Sequence, residues 1–472
     1  MDMTLQFQGA ARTVTGSMHV VRINGTTLLL DCGTFHGRRE EARQRNSAFP
    51  FDPASVSAVV LSHAHIDHSG NLPTLVRQGF RGTIYCTHAT KSLCEVMLKD
   101  SAYIQERDAE FITTRHRRRG LPPVEPLYTE EDVNATIPLM RSVDYSRTFE
   151  LTGGATCRFE DAGHILGSAS VALHLKDGSK ETGLAFTGDL GRTGLPILRD
   201  PVFIGDGQDT DTLICESTYG GRFHARIEDM GRQLLEPLRR AFDRKAKVVI
   251  PAFSVGRTQE LVYVLHGLVT RGDLPAVPVF VDSPLSVNVT KVFRQHPECF
   301  DAETRAILQA PEANDPFGFS RLTYVGSREE SVALNDRPGP FLVISASGMC
   351  EAGRVVHHLS HSVTDPRNMV IIVGYQAENT LGKKIVMKEP EVNIFGEPHA
   401  LKAEVVVLNS FSSHADRNDL LAYVRRFGAS RLKNIYLVHG DLDQAEKLRD
   451  GLVESGFRRV HIPARGDTAP LV

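Results

Sequence analysis

The 472-residue chain is 41% hydrophobic and 24% charged with a net charge of −3, and reads as a globular protein of two or three domains. No apolar run approaches the roughly 20 residues that cross a bilayer, and the opening Met1-Asp2-Met3-Thr4-Leu5-Gln6 has neither part of a secretory signal, so no membrane association or export is expected. Seven cysteines without a Cys-x-x-Cys pair fit reduced structural thiols in the cytoplasm, while the slight acidity neither announces a nucleic-acid binder nor forbids an arginine-lined channel.

The first elements are strands. Residues 18–22 and 27–30 flank Asn24-Gly25, a two-residue hairpin signal, and the second strand delivers Asp31 to its end in Asp31-Cys32-Gly33. The apolar run Ala58-Val59-Val60-Leu61 then leads into His63-Ala64-His65-Ile66-Asp67-His68, four candidate metal ligands within six residues. In extended chain His63 and His65 share a side and can grip one ion, while Asp67 and His68 follow a turn and can face a second. Imidazole with carboxylate suits zinc, and so dense a cluster suggests a catalytic pair of metals.

A charge-rich helix is predicted over about 91–116, ending in the densest basic stretch, Arg115-His116-Arg117-Arg118-Arg119. That stretch reads either as a phosphate contact or as a solvated helix end before Gly120-Leu121-Pro122-Pro123. Strands resume at 156–160, 170–175 and 183–187. Three more candidate ligands repeat the pattern of strand, ligand and glycine: His164 after Gly163, Asp189 after Gly188, and His439 before Gly440. Each alone reads equally well as a turn residue. Asp189 is placed to bridge two ions.

From about 221 to 400 strands alternate with helices (strands 247–251, 277–281, 341–344 and 370–373; helices 258–269 and from about 351), predicting a parallel sheet with helices on its faces. The last part has a strand over 403–408, a His-bearing loop, a helix over 416–426 and a strand over 434–438. The expected domains are therefore 1–220, 221–400 and 401–472. Between strand and helix, the amides of Ser347, Gly348 and Met349 read as an anion cradle at a helix start, or as an ordinary turn. A nucleophilic Ser345 or Ser347 is the sharper rival, but neither lies in a Gly-x-Ser-x-Gly elbow. Ser410, Ser412 and Ser413 before His414 form a similar cradle; Arg257 and Lys383-Lys384 either add charge or are solvated surface.

These motifs carry a family resemblance over nearly the whole chain. It runs through Val14-Thr15-Gly16-Ser17, Leu30-Asp31-Cys32-Gly33, the His-rich motif, Gly163-His164, Thr187-Gly188-Asp189 and Glu216-Ser217-Thr218-Tyr219-Gly220. It continues through 251–260, Asp282-Ser283-Pro284-Leu285, Ala346-Ser347-Gly348-Met349, Ser412-Ser413-His414-Ala415-Asp416 and Val438-His439-Gly440. The sequence resembles the metallo-β-lactamase superfamily and, within it, the β-CASP nucleases, especially prokaryotic relatives of the nuclease subunit of the cleavage and polyadenylation specificity factor. The resemblance implies an α/β architecture: an αββα sandwich with an inserted α/β β-CASP domain built on a mainly parallel sheet.

By that resemblance His63, His65 and His164 hold one zinc, and Asp67, His68 and His439 the other, with Asp189 bridging and manganese a possible substitute. Asp31 is then an outer carboxylate fixing the His-rich loop, and Glu216 supports a catalytic His414 beside the leaving group. A histidine at 439 favours RNA over DNA. The expected activity is hydrolysis of single-stranded RNA by a two-metal mechanism, as an endonuclease, a 5′-exonuclease or both, and a homodimer is compatible with it. The KH modules of longer archaeal relatives are expected to be absent. The rival readings are a DNA nuclease, a hydrolase of small esters or thioesters, and a catalytically silent scaffold.

Overall fold

The computed structural model describes residues 3–37, 39–207, 209–310, 315–377 and 379–471. The chain forms two compact units. Met1–Thr193, Asp200–Phe223 and His414–Val472 make the first, and Gly194–Arg199 with His224–Ser413 the second.

Two sheets, each of seven strands among the described residues, form the centre of the first unit. One runs in the order Thr468–Pro470, Thr4–Phe7, His19–Ile23, Thr26–Leu30, Val56–Val60, Thr83–Cys86 and Met140–Ser142. The other runs Val460–His461, Asn434–Val438, Thr212–Glu216, Lys180–Phe186, Ala169–Asp177, Ala155–Asp161 and Phe149–Glu150. Their inner faces interlock: Leu28, Leu30 and Val60 share one buried cluster with Phe159, Val171, Phe186, Ile214 and Val438. Successive strand residues point to opposite faces, so Leu213 and Cys215 turn away from Ile214. They pack with Leu420, Val424, Leu448 and Leu452 of the helices Arg417–Arg425 and Leu442–Glu454. Burial on both faces explains why these strands read as apolar runs rather than as alternating ones.

The hairpin forms where expected. His19–Ile23 pairs antiparallel with Thr26–Leu30, and both turn residues, Asn24 (φ 50°) and Gly25 (φ 75°), adopt the left-handed backbone that a tight hairpin demands. The charged helix spans His88–Arg117, capped by the Thr87 hydroxyl on the Thr90 amide.

The second unit carries a six-stranded, wholly parallel sheet in the order Leu322–Tyr324, Val279–Asp282, Phe341–Ser345, Lys247–Pro251, Met369–Ile372 and Glu404–Val407. Two expectations shift here. The strand expected to reopen the first domain after residue 401 instead pairs with Met369–Ile372, so the first unit resumes at His414. Which neighbour a strand hydrogen-bonds is a long-range choice that its own residues do not encode. The helix expected from about 351 begins at Arg354, held back by Gly353 at φ 83°.

Among the described residues no helix is long and apolar enough to cross a membrane. All seven cysteines are buried and none forms a disulfide. Phe159 is fully buried between the two sheets. Phe159→Ala is therefore expected to destabilise the first unit by about 3–5 kcal/mol, read as a lower urea midpoint; an unchanged midpoint would place Phe159 outside a tightly packed core.

Candidate metal centre

Every candidate ligand sits at or just beyond a strand end. Asp31 follows Thr26–Leu30, and the His-rich turn follows Val56–Val60. His164 follows Ala155–Asp161, Asp189 follows Lys180–Phe186, Glu216 closes Thr212–Glu216, and His439 follows Asn434–Val438. Because the two sheets face each other, these ends from both meet in one place, entirely within the first unit.

The donors fall into two sets. In the first, His65 Nδ1 lies 3.1 Å from His63 Nε2 and 3.3 Å from His164 Nε2, and Asp189 Oδ2 lies 3.6 Å from the Nε2 atoms of both His63 and His164. In the second, His439 Nε2 lies 3.2 Å from both His68 Nε2 and Asp67 Oδ2. Asp189 faces this set with its other oxygen: Oδ1 is 3.4 Å from His68 Nε2 and 3.3 Å from His439 Nδ1.

These spacings test whether a metal ion fits. Four donors set tetrahedrally about 2.0–2.2 Å from a zinc ion are about 3.3–3.6 Å apart, and the four separations of the first set, 3.1–3.6 Å, lie close to those edges. In the first set the protonation states agree; in the second, burial opposes the charge of His68, yet Asp189, Asp31 and Asp67 raise its pKa well above the usual histidine value. Burial, reinforced by the His68 charge, holds His63 well below its usual pKa, and burial lowers His65 to about 4, so both present lone pairs rather than protons. Asp189 is 2% exposed, and although burial opposes its charge, His439 and His68 pull its pKa well below the carboxylate range. Its Oδ1 is buried with no hydrogen-bond partner. An ionised, buried carboxylate oxygen without a donor is costly unless a cation faces it.

The backbone around the ligands is tightly held. Asp31 accepts four hydrogen bonds: from the Ser62 amide (2.8 Å), the Ser62 and Ser17 hydroxyls (3.0 Å each) and His68 Nδ1 (2.7 Å). That last bond turns His68 Nε2 toward the second set, the usual work of a carboxylate behind a metal-ligating histidine. The carbonyls of Asp67 and His68 accept from the amides of Ser17 and Cys32, so the hairpin grips the His-rich turn. A Cβ on Gly33 would collide with the Asp67 carbonyl. The His439 amide donates to the Ala10 carbonyl at 2.6 Å, and Thr218 Oγ1 lies 3.1 Å from His439 Nδ1.

A third group lies beside the first two. Glu216, fully buried, places Oε1 at 3.3 Å from His414 Nδ1 and accepts from the Leu190 amide at 2.6 Å. The His414 ring lies against that of His164, tilted by 47° with ring centres 4.4 Å apart. Burial disfavours its charge, yet Glu216, with Asp189 and Asp67, raises its pKa above the usual histidine value.

The sequence-predicted phosphate residues all fall in the second unit and are not all alike. Ser347, Gly348 and Met349 occupy a closed loop: the Ser347 amide donates to Ala352, and the carbonyls of Gly348 and Met349 accept from Gln376 Nε2 and the Gly382 amide. They precede the helix by five or more residues, so their amides are not at its start. The Ser347 hydroxyl oxygen is buried without a partner. Ser410 and Ser412 are buried, and Ser413 is half-buried. Arg257 is neither solvated nor open to a ligand at its Nη1, which donates to Glu260 at 2.5 Å.

Ser62, Ala10, Leu190 and Thr218 lie in or beside the sequence motifs, but their supporting roles at the centre emerge only in the structure. The flanking Ser62 hydroxyl was the one visible signal; the others act through backbone groups or across distant stretches.

Comparison with known proteins agrees with this architecture. Residues 11–252 match the metallo-beta-lactamase superfamily, 258–385 the Beta-Casp domain, and 398–463 the Zn-dependent metallo-hydrolase RNA specificity domain. Ribonuclease TTHA0252 of Thermus thermophilus is 37% identical over 98% of this chain and 99% of its own length. Transcription termination factor FttA of Methanocaldococcus jannaschii is 33% identical over 98% of the chain and 71% of its own length, and an RNase J-like protein of the same organism is 28% identical over 99% of both. A solved structure of a protein of unknown function from Enterococcus faecalis covers all of both chains at a TM-score of 0.54 and 14% identity, a likeness of fold alone. With one match spanning half its residues and a relative at 37% identity along nearly its full length, the chain belongs to the metallo-beta-lactamase superfamily and carries the Beta-Casp domain.

Proposed function

We propose that the chain is a metal-dependent ribonuclease that hydrolyses phosphodiester bonds of single-stranded RNA. The observation that carries this reading is the sharing of Asp189, with one oxygen toward each of two imidazole-rich donor sets. Support for RNA comes from the relatives named as a ribonuclease and an RNase J-like protein, and from the RNA specificity domain matched over 398–463. His439, the residue the family resemblance associates with RNA, points the same way. The buried thiols fit a cytoplasmic setting.

His63, His65 and His164 would hold one cation and Asp67, His68 and His439 the other, with Asp189 common to both. Nitrogen and carboxylate donors at these spacings suit zinc, with manganese as a substitute. Bound there, the two cations supply a lowered pKa for water and neutralisation of the phosphoryl oxygens. The chain's own residues do the rest. Asp31 fixes the His68 ring through Nδ1. Glu216 holds the His414 ring through Nδ1, leaving His414 Nε2 to give a proton to the departing 3′ oxygen. Ser347, Gly348 and Met349, with Ser410, Ser412 and Ser413, are proposed to hold RNA phosphates; Arg257 is left out because Glu260 closes it off.

The deciding experiment compares end-labelled RNA with DNA of matched sequence, with and without a chelator. RNA cleavage that stops on chelation is expected. Cleavage indifferent to chelator, or faster on DNA, would overturn the reading. Asp189→Ala is expected to abolish cleavage and to lower bound metal from two ions per chain, read by elemental analysis; a variant that keeps both metal and activity would remove Asp189 from its role. His414→Ala is expected to retain the metal while kcat falls by about 10²–10⁴-fold. Loss of metal in that variant would make His414 a ligand instead of a proton donor.

A further inference from the structure

The helix His88–Arg117 is long for what it covers. Its first turns are anchored beside the metal centre, where the Thr87 and Thr90 hydroxyls both donate to the Gly167 carbonyl, in the loop that carries His164. Thirty residues at 1.5 Å each make a rod about 45 Å long, so Tyr103 lies roughly 20 Å and Arg115 roughly 38 Å beyond Thr90. Over this distal half only Ala102 and Ala109 are buried. The segment after the helix folds back along one side: Thr113 Oγ1 exchanges hydrogen bonds with the amide and carbonyl of Val124, and His116 Nδ1 donates to the Pro122 carbonyl. The opposite side is left open.

That open side has an ordered composition. Tyr103, Arg107, Phe111 and Arg115 recur every four residues, each about 40° further round the axis, so they form a slanting stripe on the open side, with Arg119 just past the helix end. Tyr103 is 56% exposed and Phe111 63%. The Arg107 guanidinium lies 5.4 Å from the Tyr103 ring centre, and that of Arg115 5.5 Å from the Phe111 ring centre. Phe111, Arg115 and Arg119, with Ile112, His116 and one carboxylate, Asp108, line a groove of about 480 Å³, large enough for more than a water or an ion. Charge is segregated along the rod as well. Arg107 is paired with Glu110, but from Phe111 to Val124 the chain has four arginines and no carboxylate. The fold leaves most of each ring exposed, and a clustered apolar patch marks a surface that binds something.

We propose that this stripe is a second RNA-holding surface, which binds single-stranded RNA at a distance from the bond being cut. The inference rests on the ribonuclease reading above. Flat rings and guanidinium planes offer stacking faces for unpaired bases of any sequence, and the unpaired arginines meet the backbone phosphates. Positive charge on an otherwise acidic chain favours a polyanion over a neutral partner.

The test uses the metal-loaded full chain with Tyr103→Ala plus Phe111→Ala, and separately Arg115→Ala plus Arg119→Ala; all four positions are exposed, so folding is not at stake. Affinity is read by fluorescence anisotropy on a long single-stranded phosphorothioate RNA, and kcat/KM on a long RNA and on an oligonucleotide too short to reach the arm. The aromatic pair is expected to weaken long-RNA binding by about five- to a hundredfold. Each arginine removed should reduce the slope of log affinity against log salt by about 0.7. Turnover of the short oligonucleotide should not change. Unchanged long-RNA affinity in both variants overturns the proposal, as does loss of self-association in sedimentation with RNA binding intact, which would make the stripe a protein interface. Binding is read apart from cleavage, so an unsubstituted chain that binds through the arm but cuts no RNA would refute the ribonuclease reading and leave this one standing.

Discussion

Asp189 keeps a negative charge in a place almost closed to water, with one oxygen facing two imidazole nitrogens of one set and the other facing the second set. Two acidic side chains and five imidazoles share that small volume, and although burial opposes its charge, His439 and His68 favour the ionised form of Asp189. Ring nitrogens of His63, His65 and His164 crowd within 3.1–3.3 Å of one another, and the Asp189 Oδ1 atom has no hydrogen-bond partner. Positive charge placed between the donors relieves both problems at once. This electrostatic feature unites the centre, and the surrounding structure holds the donors together at 3.1–3.3 Å.

The holding is done by strand ends. Two sheets packed through Leu28, Val60, Phe159, Phe186 and Val438 bring the exits of six strands to one locality, where each chain must turn sharply. Two of these turns are made by non-glycine residues with left-handed backbone, Asp31 at φ 60° and His439 at φ 49°. Such conformations cost on the order of 1–3 kcal/mol each and persist where surrounding bonds over-determine them. Here those bonds are visible: four donors on the Asp31 carboxylate, and the Ala10 carbonyl on the His439 amide. Packing energy from the core thus sustains a strained and highly charged rim.

Much of the candidate site was legible because its ligands come in short local patterns. His63, His65, Asp67 and His68 fall within six residues, and His164, Asp189 and His439 each stand beside a glycine at the end of an apolar run. The Asn24-Gly25 hairpin was legible for the same reason, since two adjacent residues determine a tight turn. The phosphate readings fared differently. Arg257 stands at a helix start with Glu260 three residues on, a spacing that permits an ion pair but does not reveal that the fold buries both side chains. The start of the helix at Arg354 depends on how the preceding loop closes on Ala352, which the residues of that loop do not announce.

The sequence by itself determined the ligand chemistry, the strand and helix periods, and the alternation that makes the second unit a parallel sheet, because these reside in side-chain type and in spacings of two to four residues. Only the tertiary structure decided how closely the candidate donors approach one another, which oxygen of Asp189 faces which set, and to which unit the strand Glu404–Val407 belongs. Those outcomes depend on contacts between residues as many as 372 apart, such as Asp67 with His439. Local propensity carries no information across such distances; the packing of two sheets against each other supplies it.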